Sequence, residues 1–220
     1  MHSDILGAPP TSPAVLEQDV LNRIYSDKYL IVGLGNPGRE YRNNRHNIGF
    51  IILDHFVAKH QLQPFTKSQG RALITTGTAL DRPVILAKPQ TYMNQSGEAV
   101  ASIFRFYNIA PERLLVCYDD IDIPLGILRM RARGTSGGQR GMQSIIDHLG
   151  LNTFPRLRVG VGRPASTAGA AGHVLRDFRP EELEIVQPAL EVAVEALESF
   201  MQHGVDLTMS RYNGPPERDR

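Results

Sequence analysis

The stretch KYLIVGLGNPGREYRNNRHNIGF, residues 28–50, joins an apolar run, a glycine-rich turn, a polar loop and the start of an amphipathic helix. The run before Gly33 predicts a short buried strand. The letters GLGNPG, residues 33–38, match the G-x-G-x-x-G pattern with which many α/β proteins bind dinucleotides. The stretch therefore raises the question of a nucleotide cofactor.

The residues after the glycines argue against that cofactor. In dinucleotide folds the third glycine opens a helix, and an acid at the end of the next strand binds the ribose. Here the polar segment 39–47 follows Gly38, and Asp54 lies inside the amphipathic helix. Pro37 also removes a backbone N–H from the loop. The glycines are better explained as a sharp exit that places polar side chains at the carboxyl edge of a sheet, where ligands bind in open α/β folds.

The rest of the chain alternates between strand and helix patterns, which predicts one α/β domain over residues 28–213. We expect residues 1–27 to form an extension that is partly disordered or a short helix, and residues 214–220 to form a tail. Apolar or alternating runs predict strands at 71–79, 82–89, 113–119, 126–132 and 156–162. Helical spacing predicts helices at 47–62, 96–107, 137–150 and 180–204. We expect Ser96 to cap its helix, residues 163–179 to form a loop, and Pro188 to kink the last helix.

Composition narrows the class of protein. The hydrophobic content of 41% and charged content of 21% are ordinary for a soluble globular domain. No apolar run reaches the roughly 18 residues of a membrane helix, and the N-terminus resembles neither a signal nor a transit peptide, so we expect a cytoplasmic protein. The single cysteine, Cys117, rules out an intrachain disulfide and lies in an apolar run that predicts a buried thiol.

The distribution of charge is more informative than the net charge of +1. Between residues 123 and 176 eight arginines face a single acid, Asp147. Such a basic half indicates a polyanionic partner, with nucleic acid the first candidate. A solvated surface that is merely short of acids is the alternative.

Candidate catalytic residues lie where strands end. His46 belongs to the polar loop, and Asp119 is the first acid after the apolar strand ending at Tyr118. A His–Asp pair activates water for attack on an ester, and no serine has the G-x-S-x-G setting of a nucleophile. Two alternatives stay open: His46 is a structural loop residue, or the carboxylates of residues 119–122 hold Mg²⁺ or cap a turn.

Asn94 supplies a neutral amide near the same predicted edge. It lies between a strand that ends near Lys88 and the helix that begins near Ser96. A neutral amide can donate to a developing oxyanion without disturbing the charge of a nearby histidine. A simple turn role at the start of the helix is equally compatible with this position.

Four segments in order resemble bacterial-type peptidyl-tRNA hydrolase. They are LIVGLGNPGREYRNNRHNIGF (30–50), KPQTYMNQSGEAV (88–100), VCYDDIDIPLG (116–126) and RLRVGVGRP (156–164). The resemblance covers residues 28–213 and implies a monomeric α/β domain, in which a mixed, twisted sheet is flanked by helices as in the phosphorylase/hydrolase-like fold. It implies hydrolysis of the ester between peptide and tRNA, which recycles tRNA from prematurely released chains, without metal or organic cofactor.

The resemblance also implies roles for individual residues. His46 matches the catalytic base and Asp119 the residue that orients it. Asn36 matches the residue that holds the peptide, and Asn94 one that binds substrate and supports the oxyanion. The remaining matched positions line the site or contact tRNA: Tyr41, Tyr92, Arg129, Arg131 and Arg158.

One departure from the family pattern lies in GQRGM, residues 138–142. Many members carry H-N-G here, so Gln139 replaces a histidine and Arg140 an asparagine that lines the site. The guanidinium of Arg140 is suited to a phosphate or to the substrate carbonyl, and which of them it binds is left open. The alternative to an active enzyme is a catalytically inactive RNA-binding relative.

Alternation along the basic strands suggests a phosphate-binding stripe. Arg129, Arg131 and Arg133 are spaced to share one face of a strand, and Arg156 and Arg158 repeat the spacing in a second strand. We expect these arginines to bind tRNA phosphates irrespective of base sequence.

Overall fold

A seven-stranded mixed sheet forms the centre of the molecule. The computed structural model describes residues 25–164 and 169–214, so most of the predicted extension and tail lies outside the described residues. The strands are β1 (Tyr29–Gly33), β2 (Lys67–Gln69), β3 (Ala72–Ala79), β4 (Arg82–Pro89), β5 (Leu114–Asp120), β6 (Leu128–Arg131) and β7 (Arg156–Gly160). Their order is β2-β3-β4-β1-β5-β7-β6. Strands β4, β1, β5 and β7 are parallel neighbours, and the other pairings are antiparallel, which confirms the mixed sheet.

Helices cover both faces of this sheet. Those within the described residues are α1 (Ile48–Lys59), α2 (Ser96–Phe106), α3 (Arg140–Leu149), α4 (Ala170–Val174) and α5 (Pro180–Tyr212). Short 3₁₀ turns lie at Arg39–Tyr41, Arg45–Asn47, Met93–Gln95 and Pro111–Arg113. Side chains alternate along β1, so that Ile31 packs with α1 and α5, whereas Leu30 and Val32 pack with α2 and α3. Because both faces are buried, β1 and the central parts of β4 and β5 are continuously apolar in sequence, whereas β7 carries Arg156 and Arg158 on one face. Across the described residues, none of these helices is both long and apolar enough to span a bilayer.

Glycines let α1 lie directly against the ends of β1 and β5. A Cβ atom on Gly33 would lie 2.3 Å from the carbonyl oxygen of Gly49, and one on Gly49 would lie 2.4 Å from that of Cys117. Both separations are shorter than van der Waals contact, so only glycine fits. The turn that precedes α1 is therefore held close to the carboxyl end of β5. Cys117 is fully buried, as predicted, and burial raises the pKa of its thiol.

One prediction about a helix end is wrong. Ser96 does not cap α2 but is its first residue, and its hydroxyl donates to the carbonyl of Met93 at 2.8 Å. The 3₁₀ turn before it runs straight into the helix, so Gln95 occupies the capping position. In α5 the backbone leaves helical geometry at Gly204, where φ is 80° and ψ is 176°. A positive φ suits glycine and interrupts the helix at this residue. Pro188 lies within the helix, and the kink expected there stays a prediction.

The segment 163–179 is not wholly a loop. It contains the short helix α4, and Asp177 forms an isolated antiparallel bridge with Asn44. Residues 165–168 lie outside the described residues. This contact between distant segments brings α4 beside the loop that follows β1.

Candidate active site

His46 and Asp119 form a hydrogen-bonded pair at the carboxyl edge of the sheet. His46 lies in the turn before α1, and Asp119 lies near the end of β5, where its side chain is only 3% exposed. The distance from His46 Nδ1 to Asp119 Oδ2 is 2.8 Å. Because the carboxylate accepts this bond, Nδ1 carries the proton and Nε2 is the basic nitrogen. The arrangement matches the histidine–carboxylate pairs that serve as general bases.

Asn36 is held by hydrogen bonds on three sides. Its backbone N–H donates to Asn47 Oδ1 at 2.8 Å, and Asn47 Nδ2 donates back to the carbonyl of Asn36 at 2.9 Å. The side-chain oxygen of Asn36 accepts from the backbone N–H of Met93 at 2.9 Å. Since Oδ1 is already used, the group that Asn36 can offer to a ligand is its NH₂ donor. The role of Asn47 was missed because its partner is fixed by folding and not by sequence spacing.

The neighbouring acids, Asp120 and Asp122, are paired with arginines and not with the histidine. Asp120 caps the following turn through Oδ1, which accepts from the backbone of Asp122 at 2.8 Å, and its Oδ2 accepts from Arg158 at 2.6 Å. Asp122 pairs with Arg163 at 2.7 Å. Within residues 25–164 and 169–214, no three His, Cys, Asp or Glu side chains are grouped to hold a metal ion. These contacts single out Asp119 among the three candidate carboxylates.

A cleft of about 560 Å³ opens over the His46–Asp119 pair. Its polar wall contains Asn36, Asn94, Tyr92, Gln139 and Arg140, and its apolar wall contains Ile121, Ala171, Val174 and Leu175. Tyr92 is 65% exposed, and the side chains of Asn94 and Arg140 are also exposed, so they are accessible to a ligand. Tyr41 is half-buried in an adjacent turn and does not line this cleft. The fold thus brings the predicted site residues together around the cleft, except for Tyr41 and the arginines predicted on strands, Arg129, Arg131 and Arg158, which do not line it.

Comparison with known proteins assigns the family. The family model described as peptidyl-tRNA hydrolase matches residues 30–220. This chain belongs to the peptidyl-tRNA hydrolase family. A peptidyl-tRNA hydrolase from Synechococcus sp. (strain JA-3-3Ab) is 44% identical over 87% of both chains. One from Desulforamulus reducens is 46% identical over 84% of this chain and 88% of its own. A crystal structure of a peptidyl-tRNA hydrolase from Acinetobacter baumannii superposes with a TM-score of 0.81, at 35% identity and over 86% of this chain and 96% of its own.

Gln139 supplies the second hydrogen bond to Asp119 in this peptidyl-tRNA hydrolase family member. Its Nε2 lies 3.2 Å from Asp119 Oδ1, on the carboxylate oxygen that does not bind His46. Its Oε1 accepts from the backbone N–H of Met142 at 2.8 Å, which makes Gln139 the cap of α3. The sequence marked Gln139 only as a departure from H-N-G. Its glutamine amide both fixes the helix and orients the carboxylate.

A second cavity, of about 240 Å³, lies beside the cleft at the basic end of the sheet. We call it the basic cavity, and its lining comprises Tyr118, Arg131, Arg133, Gly134, Thr135, Gly137, Arg156 and Arg158. Antiparallel pairing places Arg129 opposite Arg158 and Arg131 opposite Arg156. Arg131 and Arg133 are exposed, and Arg158 is half-buried against Asp120. Arg129 does not line the cavity and donates to the carbonyl groups of Leu128 and Gly214.

The prediction that Arg156 belongs to the phosphate-binding stripe is wrong, because its side chain is buried. It is only 1% exposed, and its guanidinium donates to the carbonyls of Gly134, Thr135, Asn152 and Phe154 at 2.6–3.3 Å. Burial lowers the pKa of this guanidinium. Alternation along a strand correctly places Arg156 and Arg158 on one face, but it does not reveal that loop carbonyls cover one of them. Arg156 therefore shapes the basic cavity and holds its loops.

Arg45 ties the histidine turn to the segment that forms the apolar wall. Its guanidinium donates to the carbonyls of Arg176 at 3.0 Å and Asp177 at 2.8 Å, and to Glu182 Oε2 at 2.5 Å. It also lies 5.2 Å from the ring centroid of Phe178. Although burial alone would raise it, hydrogen bonds from Arg45 and Arg179 lower the pKa of Glu182 to about 2. This buried ion pair fixes the residue next to His46 against the base of α5.

Proposed function

We propose that His46 and Asp119 carry out the peptidyl-tRNA hydrolysis that family membership assigns to this chain. The observation that carries the proposal is the 2.8 Å bond between His46 Nδ1 and Asp119 Oδ2 inside a cleft lined by amides. His46 Nε2 takes a proton from water as the water oxygen attacks the ester carbonyl. The resulting imidazolium, stabilised by Asp119, returns that proton to the ribose oxygen as the ester bond breaks. The products are tRNA with a free terminal hydroxyl and a peptide carboxylic acid, which releases its proton to solvent as a carboxylate.

The amides of the cleft provide the polar contacts for this reaction. The NH₂ group of Asn36 is suited to a carbonyl of the peptide, because its own oxygen is occupied by Met93. The exposed amide of Asn94 donates to the oxyanion that forms on attack. Tyr92 offers an exposed ring on the same wall. The apolar residues of α4 and Ile121 face the peptide side chains.

The basic cavity supports binding of the tRNA backbone. Arg131, Arg133 and Arg158 present guanidinium groups beside the cleft, and guanidinium groups bind phosphate oxygens in pairs. Arg129 extends this surface on the same edge strand. Contacts of this kind are independent of base sequence, which suits an enzyme that must accept many tRNAs.

A single chain contains both the cleft and the basic cavity, which supports action as a monomer. A tRNA substrate supports a cytoplasmic location. Sedimentation of the purified protein with and without tRNA tests the first point. A dimer that persists at low protein concentration would contradict it.

The direct test is release of tRNA from N-acetyl-aminoacyl-tRNA by wild type, His46→Ala and a control, His203→Ala. His203 is exposed on α5, away from the cleft lining, so its variant should keep the wild-type rate. We expect His46→Ala to lose a factor of about 10²–10⁴ in kcat, the usual contribution of a general base. Equal rates for wild type and His46→Ala would refute the proposed mechanism. Tight tRNA binding without any release by the wild type would instead indicate the inactive RNA-binding relative.

A further inference from the structure

Arg140 is a cation in the cleft that has no side-chain partner among residues 25–164 and 169–214. It is the first residue of α3, its side chain is exposed, and it lines the cleft. The described residues that line the cleft include no other arginine and no lysine. Within the described part of the chain, the Arg140 guanidinium also takes part in no hydrogen bond or ion pair. By contrast, Arg158 and Arg163 nearby are paired with Asp120 and Asp122.

The cleft and the basic cavity meet at the glycines before α3. Gly137 lines both spaces, and Gly138 lines the cleft. A Cβ atom on Gly138 would meet nothing within 4 Å, and one on Gly137 would meet only Arg158 Nη2 at 3.9 Å. In the part of the chain that the structure describes, no bulky side chain therefore crowds these two glycines. A nucleic-acid strand held in the basic cavity can enter the cleft across Gly137 and Gly138.

The chemistry of the substrate then limits what Arg140 meets. The scissile ester lies on the ribose of the last nucleotide, and the phosphate that joins this nucleotide to the preceding one is a single ribose away. If the ester lies beside His46 and the preceding nucleotides lie in the basic cavity, this phosphate lies at the mouth of the cleft, between the basic cavity and His46. The carboxylates of Asp119, Asp120 and Asp122 line the same cleft and would repel an anion that has no counter-charge.

We propose that Arg140 binds the phosphate of the 3′-terminal nucleotide of the substrate and so positions the ester against His46. The proposal rests on the proposed function, since it assumes a peptidyl-tRNA ester in this cleft. A guanidinium donates two parallel hydrogen bonds to a phosphate, which an asparagine amide cannot do. Arg140 thus adds a charged contact to the last phosphate.

The test removes the charge from either partner. N-acetyl-aminoacyl-tRNA is prepared with a normal terminal phosphodiester or with a neutral methylphosphonate at that linkage. The ratio of kcat/KM for the two substrates is measured for wild type, Arg140→Asn, Arg140→Lys and Arg82→Asn. Arg82 is an exposed arginine at the amino end of β4, opposite the edge that carries the cleft, and serves as the matched control.

We expect the wild type and Arg82→Asn to lose about tenfold or more on the neutral substrate, as for a hydrogen bond between charged groups. For Arg140→Asn, the ratio of kcat/KM on the normal substrate to that on the neutral one should be near one, because the phosphate has already lost its partner. The ratio for Arg140→Lys should lie between those of Arg140→Asn and wild type. An equal penalty in wild type and Arg140→Asn, or no penalty in wild type, would overturn the proposal. Failure of the wild type to hydrolyse either substrate would overturn the proposed function as well, and this result is distinct from the other two.

Discussion

The cleft and the basic cavity adjoin each other, yet their charged groups are held in different ways. In the cleft, Asp119 receives hydrogen bonds on both oxygens, from His46 and Gln139. In the basic cavity, Arg131 and Arg133 are exposed, and only the buried Arg156 is fully enclosed by carbonyl groups. Groups that must transfer a proton need fixed positions, whereas groups that attract phosphates need only charge and access. Substitutions in the cleft should therefore change kcat, and substitutions at the exposed arginines should change KM.

The largest effect should follow Asp119→Asn, with Asp122→Asn as the matched control. An asparagine cannot stabilise the imidazolium, so kcat should fall by about 10²–10⁴ with little change in KM. Asp122 lines the same cleft but pairs with Arg163 and not with His46, so its variant should keep kcat within about twofold of wild type. Single-turnover release of labelled tRNA measures both. Similar losses in the two variants would remove the distinction between Asp119 and its neighbours.

Arg45→Met should be the most destabilising change near the cleft. It removes the Arg45 guanidinium and leaves Glu182 with its contacts to Arg179, so the loss of this charged hydrogen bond should cost about 1.5–3 kcal/mol of unfolding free energy. Urea unfolding followed by circular dichroism gives this value. A midpoint equal to that of wild type would show that the ion pair does not hold the segment from α4 to α5.

The same ion pair predicts how acid affects stability. The pKa of Glu182 is lowered to about 2 in the folded protein from an ordinary value of 4.5, so its stabilisation is present above about pH 4.5. As pH falls from there toward about 2, the carboxylate is protonated and the stabilisation is lost. We expect Glu182→Gln to flatten the fall in unfolding free energy over this range. A pH dependence identical to that of wild type would contradict the assignment.

Gln139→Leu should lower kcat by about tenfold and leave KM unchanged, since one hydrogen bond to a charged group is lost. Gln139→His should recover most of the rate because an imidazole N–H can replace the amide donor to Asp119. Steady-state kinetics on N-acetyl-aminoacyl-tRNA separate the two parameters. A loss in KM alone would mean that Gln139 contacts substrate and does not orient Asp119.

The smallest effect on chemistry should come from Arg131→Ala in the basic cavity. We expect KM to rise and kcat to stay near the wild-type value. The slope of log KM against log salt concentration should fall by about one, as expected for the loss of one phosphate contact. Arg82→Ala is the matched control. A fall in kcat that does not vary with salt would place Arg131 in the catalytic machinery.

The sequence predicted those parts of the site that follow from strand ends. His46 follows β1, and Asp119 lies at the carboxyl end of the neighbouring parallel strand β5. The carboxyl ends of parallel strands share one edge, so their meeting was foreseeable. Strand alternation similarly placed Arg131 and Arg158 on one basic surface. The mixed sheet was foreseeable only through the family resemblance.

Contacts between distant segments were not foreseeable in this way. Arg45 and Glu182 are 137 positions apart, and their pairing depends on the path of the chain through α4, a helix too short to leave a periodic pattern. The burial of Arg156 likewise depends on loops whose carbonyl groups fold over it. Gly33 and Gly49 are explained by close packing of α1 on the sheet, which the nucleotide-like pattern of the first loop does not reveal.

The coupling between His46 and Asp119 tests the central claim most directly. Single-turnover rates of tRNA release are measured for wild type, His46→Ala, Asp119→Asn and the double variant. If Asp119 acts only through His46, the double variant should be no slower than His46→Ala alone, as for residues that work as one unit. Losses that multiply in the double variant would contradict the account, because they would show that the two residues act independently.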